Sequence, residues 1–395
     1  MRLLNRNIVF LIIGSLFSLN CNSYRLDKYI SPKSSDWTMY GGGINRTNHS
    51  EVLPIPPLAP KWEFNTGAGF GTFSGVVADS ILFATTLKGE LHLLNIQTGK
   101  NLGKKKFSAP IVGGPAIGSG VVYLSFAVRD ISVGEYDLSD KKFNWTLELS
   151  GVESSPLIVG NQLFVTTSEG KLVAIEKKSG VVNWTFSDEP IGILKSSRSS
   201  PASDGKKVVY GNDNGVLYAV DIDNGKLIWR YKSGGSIAAS PAIKNNIVYF
   251  GSMDGNLYAI DISDGKLIWK YETGSPVYSS AAVSDSYVYI GGADGVLRCI
   301  NNQSGKLVWS FKAQSVFGSA PLISDKIIYI GSFDKNLYVL DAVNGNLVWS
   351  YLLNGRIKSS PLVWKNFLFV FTDDQIITAF TPIKSGLTKE GGRPE

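Results

Sequence analysis

Between Gly211 and Trp349 the chain alternates hydrophobic and polar positions in short runs, and the whole pattern returns every 40 residues. Tryptophan falls at Trp229, Trp269, Trp309 and Trp349, and glycine keeps the same interval at Gly211, Gly251, Gly291 and Gly331. The text between the markers is shared: GVLYAVDIDNGKLIWRY, GNLYAIDISDGKLIWKY, GVLRCINNQSGKLVWSF and KNLYVLDAVNGNLVWSY. Runs of 5 to 7 residues rich in Val, Ile, Tyr and Trp, alternating with period two, predict strands. No run offers the i, i+3, i+4 stripe of a helix.

Each period holds four apolar segments separated by turns. Asn214-Gly215, Asp254-Gly255 and Asp294-Gly295 join the second strand to the third, and Asn224-Gly225, Asp264-Gly265 and Asn344-Gly345 join the third to the fourth. In such pairs glycine supplies a positive φ while the Asx side chain folds back on the backbone, which suits tight hairpins. Asp334-Lys335 lacks the glycine, so that turn is expected to differ. Four short strands in a period near 40 are the signature of a propeller blade.

The fourth-strand tryptophan or its equivalent falls at Trp62, Gly103, Trp145, Trp184, Trp229, Trp269, Trp309 and Trp349, which makes eight blades. After Trp349 the chain supplies only three more strands, and KWEF at residues 61–64 is the missing fourth. The expected fold is therefore all-β: a single eight-bladed β-propeller with four antiparallel strands per blade, closed by an N-terminal strand that completes the last blade. Closure leaves no open sheet edge between the first and last blades. The seven periodic tryptophans are expected to fasten each sheet to its neighbour, since each buries on the order of 150 to 250 Å². Gly103 breaks the series, so blade 1 is expected to be fastened less firmly.

Expected boundaries are a signal segment at 1–20, a flexible tether at 21–36, the propeller at 37–382 and a tail at 383–395. Arg2 and Arg6, an apolar core from Ile8 to Leu19 and then Cys21 make an export signal, because a 12-residue core is too short to span a bilayer. Ser18 and Asn20 stand where lipoprotein signals favour Leu and a small residue. Cys21 is the candidate lipidation site, and the alternative is plain cleavage that leaves its thiol free or removes it.

Composition narrows the chemistry. The net charge of +6 carries no basic run longer than Lys104 to Lys106, which argues against nucleic acid. Only Cys21 and Cys299 occur, and Cys299 stands where sister repeats have Ala219, Ala259 and Val339, as a small buried side chain would. Two histidines, His49 and His92, are too few for a nitrogen or sulfur metal site and leave a base–nucleophile pair improbable. The abundant Asp and Asn recur where hairpins need Asx turns, so no calcium site is read from them. No catalytic residue, metal or cofactor is expected.

The spacing from Trp184 to Trp229 is 45 residues, five more than in later repeats, and the excess lies in SDEPIGILKSSRSSP. Ile191, Ile193, Leu194, Lys195 and Arg198 in that linker are candidate partner-binding residues, because apolar side chains beside cations on a loop make an interface anchor. The alternative is that the apolar residues fold under onto the next blade.

The stretch DWTMYGGGINRTNHS, the proline-rich LPIPPLAP and then KWEF resemble the opening of pyrroloquinoline-quinone-like repeat proteins, and within them the BamB family of outer-membrane assembly lipoproteins. That resemblance covers essentially everything after residue 36. It implies a monomeric, non-enzymatic scaffold, held to the outer membrane by its lipid on the periplasmic face, that assists β-barrel assembly by binding the barrel-assembly protein. By the same resemblance Asp188, Pro190 and Leu194 match the family's contact loop, with Lys195 in place of an arginine. Quinoprotein dehydrogenases share the fold, and resemblance to them would imply a quinone over the channel with calcium, Glu, Asn, an Asp base and often adjacent cysteines. No such cysteine pair exists, and the inner strands read IAASP, VYSSA, FGSAP and IKSSP, small and polar. A surface adhesin or sensor is the third reading.

Overall fold

The structure is a computed structural model that describes residues 23–73, 75–188 and 196–383. Eight four-stranded antiparallel sheets stand around one axis. Blades 1 to 7 occupy residues 75–106, 116–147, 157–186, 202–232, 242–272, 282–312 and 322–352. Blade 8 takes its three inner strands from 362–382 and its outermost strand from Leu58–Asn65. Trp62 pairs with Ala379, Glu63 with Thr378 and Phe64 with Ile377, so the head of the chain closes the ring as the repeat count requires.

The third and fourth strands of the repeats share one irregularity. A register shift falls between Ala219 and Val220, Ala259 and Ile260, Cys299 and Ile300, and Val339 and Leu340, beside the pairs Ala219–Trp229, Ala259–Trp269, Cys299–Trp309 and Val339–Trp349. A small residue opposite each indole leaves space for the ring. Cys299 is fully buried in that role, and burial pushes its thiol up to about 12.

The core lies between blades. One cluster joins Val209, Leu217 and Trp229 of blade 4 to Ile243, Phe250 and Tyr258 of blade 5. Six indoles reach across such a boundary: Trp62, Trp145, Trp184, Trp229, Trp269 and Trp309 donate from Nε1 to the carbonyls of Ile96, Lys177, Ile222, Ile262, Asn302 and Ala342, at 2.7 to 3.2 Å. Each ring also lies on the glycine of the next blade's outer hairpin. A Cβ on Gly225, Gly265, Gly305 or Gly345 would meet the indole at 2.5 to 2.7 Å. Trp349 packs instead on Tyr351 and Phe380 of the closing blade boundary.

Two expectations are corrected. The segment read as a free tether packs against the body from residue 23: Tyr24 and Ile30 are buried, the Arg25 amide donates to Leu102 O at 3.0 Å, and Lys28 pairs with Asp79 at 2.7 Å. Blade 1, expected to be fastened less firmly at Gly103, has a clasp there that the repeats did not announce: Tyr24 bridges to Gly103 and its hydroxyl donates to Leu138 O of blade 2, in the missing tryptophan's place. The Asp334-Lys335 turn does not differ from its counterparts. Lys335 takes φ +76 beside +83 at Gly255 and +72 at Gly295, and Asp334 Oδ1 accepts from the Asn336 amide as Asp254 Oδ1 does from Asn256. The Asx bond holds the turn strongly enough to carry a side chain in the left-handed region.

Candidate functional site

The axis of the ring is lined by small side chains because eight inner strands converge there. Serines occupy these positions for a further reason: the Ser155 amide donates to Ser200 Oγ, the Ser200 amide to Ser240 Oγ and the Ser240 amide to Ser280 Oγ, each at 2.9 Å. The amides of Gly114 and Ala320 likewise donate to Ser155 and Ser360 Oγ. The repeated Ser-Ser and Ser-Pro text thus ties blade to blade at the centre, one period apart.

One end of the hub is filled by the chain's own residues 36–50. Their carbonyls meet the inner strands in turn around the ring. Trp37 O accepts from Val77, Thr38 O from Ile117, Ile44 O from Ser203, Asn45 O from Ile243, Thr47 O from Val283 and Asn48 O from Ile323, at 2.8 to 2.9 Å. At blade 8, Trp364 Nε1 donates to Asp36 Oδ1 at 2.8 Å. Strand ends that would leave amides unpaired in a dry hub are therefore satisfied.

Arg46 is the centre of this plug. It is 1% exposed and its guanidinium donates to backbone carbonyls alone: Tyr40 at 2.8 Å, Ser155 at 3.1 Å and Pro156 at 3.4 Å at the entry to blade 3, and Pro201 at the entry to blade 4. Burial lowers its pKa to about 10, so it keeps its charge at neutral pH. Tyr40 lies under it, with the guanidinium carbon 5.2 Å from the ring centroid. The Tyr40 hydroxyl is buried beside Ser280, Asn48 and Ser360, and burial raises its pKa. A cavity of about 10 Å³ remains between Tyr40, Asn48, Phe73 and Ser360, no more than one water needs. The residues that build the plug carried no period in the sequence. The Arg-Thr pair and glycine cluster marked them, but nothing in the text named their partners.

On the outer face of the plug a cleft of about 700 Å³ opens between Asp36, Trp37, His49, Glu51 and the blade 8 turn Trp364–Asn366. Two of its polar side chains already have partners: Asp36 Oδ2 accepts from the Lys33 and Asp79 amides, and His49 Nε2 lies 3.3 Å from Asp325.

Of the candidate partner-binding residues, Ile191, Ile193, Leu194 and Lys195 lie outside the described residues, as does Cys21. Arg198 is half-exposed and paired with Asp213 at 3.1 Å. At the other flank Asp188 pairs with Arg230. Both flanks of the long linker are thus tied to blade 4.

A quinone with calcium would need oxygen and nitrogen ligands converging at the axis. Among the described residues no group of three or more His, Cys, Asp or Glu could hold a metal ion. The axis offers serines and a plug of Tyr40, Arg46 and Asn48, and these residues do not fit that cofactor.

Comparison with known proteins places the chain. The profile of the family described as outer membrane protein assembly factor BamB matches residues 59–133, 129–236, 213–321 and 293–389. The BamB of Yersinia pestis is 24% identical over 211 residues, 47% of this chain and 53% of that protein. The chain spans about half the length of the curated relatives it matches. The crystal structure of BamB from Moraxella catarrhalis superposes with a TM-score of 0.70 at 18% identity, covering 82% of this chain and 99% of that one. A europium-containing methanol dehydrogenase superposes with a TM-score of 0.73 at 14% identity, covering 88% and 98%. At these identities the two structures speak for the fold alone. The profile matches run without a gap from 59 to 389, and the chain belongs to the family described as outer membrane protein assembly factor BamB.

Proposed function

We propose that this protein is an exported outer-membrane lipoprotein, anchored at Cys21 on the periplasmic face, that acts without enzymatic chemistry as a scaffold for β-barrel assembly. The observation that carries this reading is the hub. The inner strands that meet at the axis are joined by blade-to-blade serine bonds, and one end of the hub is filled by Arg46 and Tyr40. What a stiff, closed ring offers instead is its loops, held in fixed relation to one another. Eight sheets joined by indole and serine bonds give little, so the described flanks of a loop keep a fixed spacing when a partner binds.

The linker between blades 3 and 4 is the proposed contact with the barrel-assembly protein. Ile191, Ile193, Leu194 and Lys195 form its sequence, and the Asp188–Arg230 and Arg198–Asp213 pairs hold its ends. Apolar anchors beside a cation make the central part of such an interface.

Affinity purification from envelope extracts tests this. The unaltered protein is expected to recover a barrel-assembly component, and Leu194→Glu with Lys195→Glu is expected to reduce that recovery at least ~tenfold, as loss of a ~1.4 kcal/mol anchor would. Equal recovery by the variant would remove the linker from the interface. Dye reduction in the presence of pyrroloquinoline quinone and calcium would overturn the non-enzymatic reading.

A further inference from the structure

We infer that the outer rim of blade 1 is a lipid-facing surface, which binds the anionic headgroups of the membrane that carries the anchor. The inference rests on the reading of Cys21 as the lipid-bearing residue, and it starts from where the chain leaves the propeller. Tyr24 forms a bridge with Gly103 on the outermost strand of blade 1, and the Arg25 amide donates to Leu102 O at 3.0 Å. One residue, Asn22, separates Ser23 from Cys21. Two Cα steps reach at most about 7.6 Å. A lipid on Cys21 would thus be joined to the described body by two residues' length of chain, at the rim of blade 1 where Ser23 lies.

The same rim carries the longest basic run of the chain. The outermost strand, Asn101–Lys106, carries Lys104, Lys105 and Lys106, with Lys100 just before it and exposed Arg25 laid across it. Lys141 of blade 2 stands over the Tyr24 ring at 5.2 Å and adds to the patch. Glu90 answers Lys104 at 2.8 Å, Asp27 answers Arg25 at 3.8 Å and Asp137 stands close to Tyr24, three carboxylates beside the six cations Arg25, Lys100, Lys104, Lys105, Lys106 and Lys141. Tyr29, on the same N-terminal segment, is 62% exposed beside Gly120 of blade 2, and exposed aromatics of this kind favour a membrane interface. One lipid signal with a basic patch beside it is the combination that makes membrane attachment stable.

The test separates the surface from the anchor by using the chain from Asn22 onward, which bears no lipid and keeps every described residue. Vesicles of phosphatidylglycerol and phosphatidylcholine are expected to sediment it at low salt, with binding lost in phosphatidylcholine alone or at about 0.5 M salt. Replacing Arg25, Lys100, Lys105 and Lys106 by Gln is expected to weaken binding at least ~tenfold. The matched variant at Lys226, Lys266, Lys306 and Lys326, on blades 4 to 7, should stay within about twofold. Equal loss in both variants would reduce the effect to net charge and overturn the inference, as would absence of binding to phosphatidylglycerol. Circular dichroism and thermal melting confirm that both variants fold. The mass of the full-length exported protein reports the anchor independently: an unmodified Cys21 would sink the lipoprotein reading while vesicle binding by the rim still stood.

Discussion

The Tyr24 hydroxyl donates to Leu138 O at 2.9 Å, and Leu138 holds the same place in blade 2 that Ile96, Lys177, Ile222, Ile262, Asn302 and Ala342 hold in the blades that accept an indole. A residue from outside the repeats thus performs, for blade 1, what tryptophan performs elsewhere. Gly103 permits it: a Cβ there would stand 2.4 Å from Ser23 O and 2.5 Å from Tyr24 Cα.

Tyr24→Phe keeps the packing and strands a buried carbonyl, at a cost of about 1 to 2 kcal/mol. Gly103→Ala is expected to act differently, displacing the whole 23–36 segment. The two are distinguished by limited trypsin digestion, in which Gly103→Ala should open cleavage at Arg25, Lys28 and Lys33 in an otherwise intact propeller.

Gly265 and Gly274 share a positive φ, +75 and +74, but only Gly265 faces an indole: a methyl carbon added there would stand 2.7 Å from Trp229 Cδ2, whereas one on Gly274 would meet nothing within 4 Å. Alanine at Gly274 should cost about 1 to 2 kcal/mol from backbone strain alone. At Gly265 the Trp229 contact and its bond to Ile262 O are disturbed as well, and the loss should be at least ~1 kcal/mol greater by denaturant titration. Equal losses would show that the indole has room to yield.

Arg46→Met removes the cation that joins Tyr40 O to carbonyls at the entries to blades 3 and 4. Hydrogen bonds from charged donors contribute about 1.5 to 3 kcal/mol each, and the freed carbonyls stay buried. A destabilisation of about 3 kcal/mol or more is expected. Arg46→Lys should recover little of it, because an ammonium cannot span the fork of acceptors. Thermal melting checks both.

Acid should loosen blade 1 in two steps. Burial lowers the pKa of His92 below its ordinary 6.5, against the opposing pull of Glu90 at 3.2 Å. The folded state then prefers neutral His92, so stability falls as pH drops from about 6.5 toward the lowered folded value. Burial works against the Glu90 charge, but Lys104 and His92 outweigh it and hold the carboxylate below its ordinary 4.5. Its contribution is present above that value and is lost as pH falls through the lower one. His92→Gln should flatten the upper window of a melting-temperature series and leave the lower one in place.

Period and turn chemistry in the sequence determine the blades, their number and the closing strand at Leu58–Asn65, because each of those features is a local pairing repeated at an interval of 40. The same logic makes the tryptophans legible: an aromatic at a constant place opposite Ala219, Ala259 or Cys299 has room reserved for it. What tertiary structure alone decides is how the unrepeated residues 23–50 are used. Tyr24, Arg46 and Asn48 bond to Leu138 O, Pro201 O and Ala281 O, at separations of 114, 155 and 233 residues. Those partners are backbone carbonyls, which every residue has, so no side chain in the text could announce them. Only closing the ring sets the carbonyls in a circle, and only then does the head of the chain become both a plug for the hub and a clasp on blade 1.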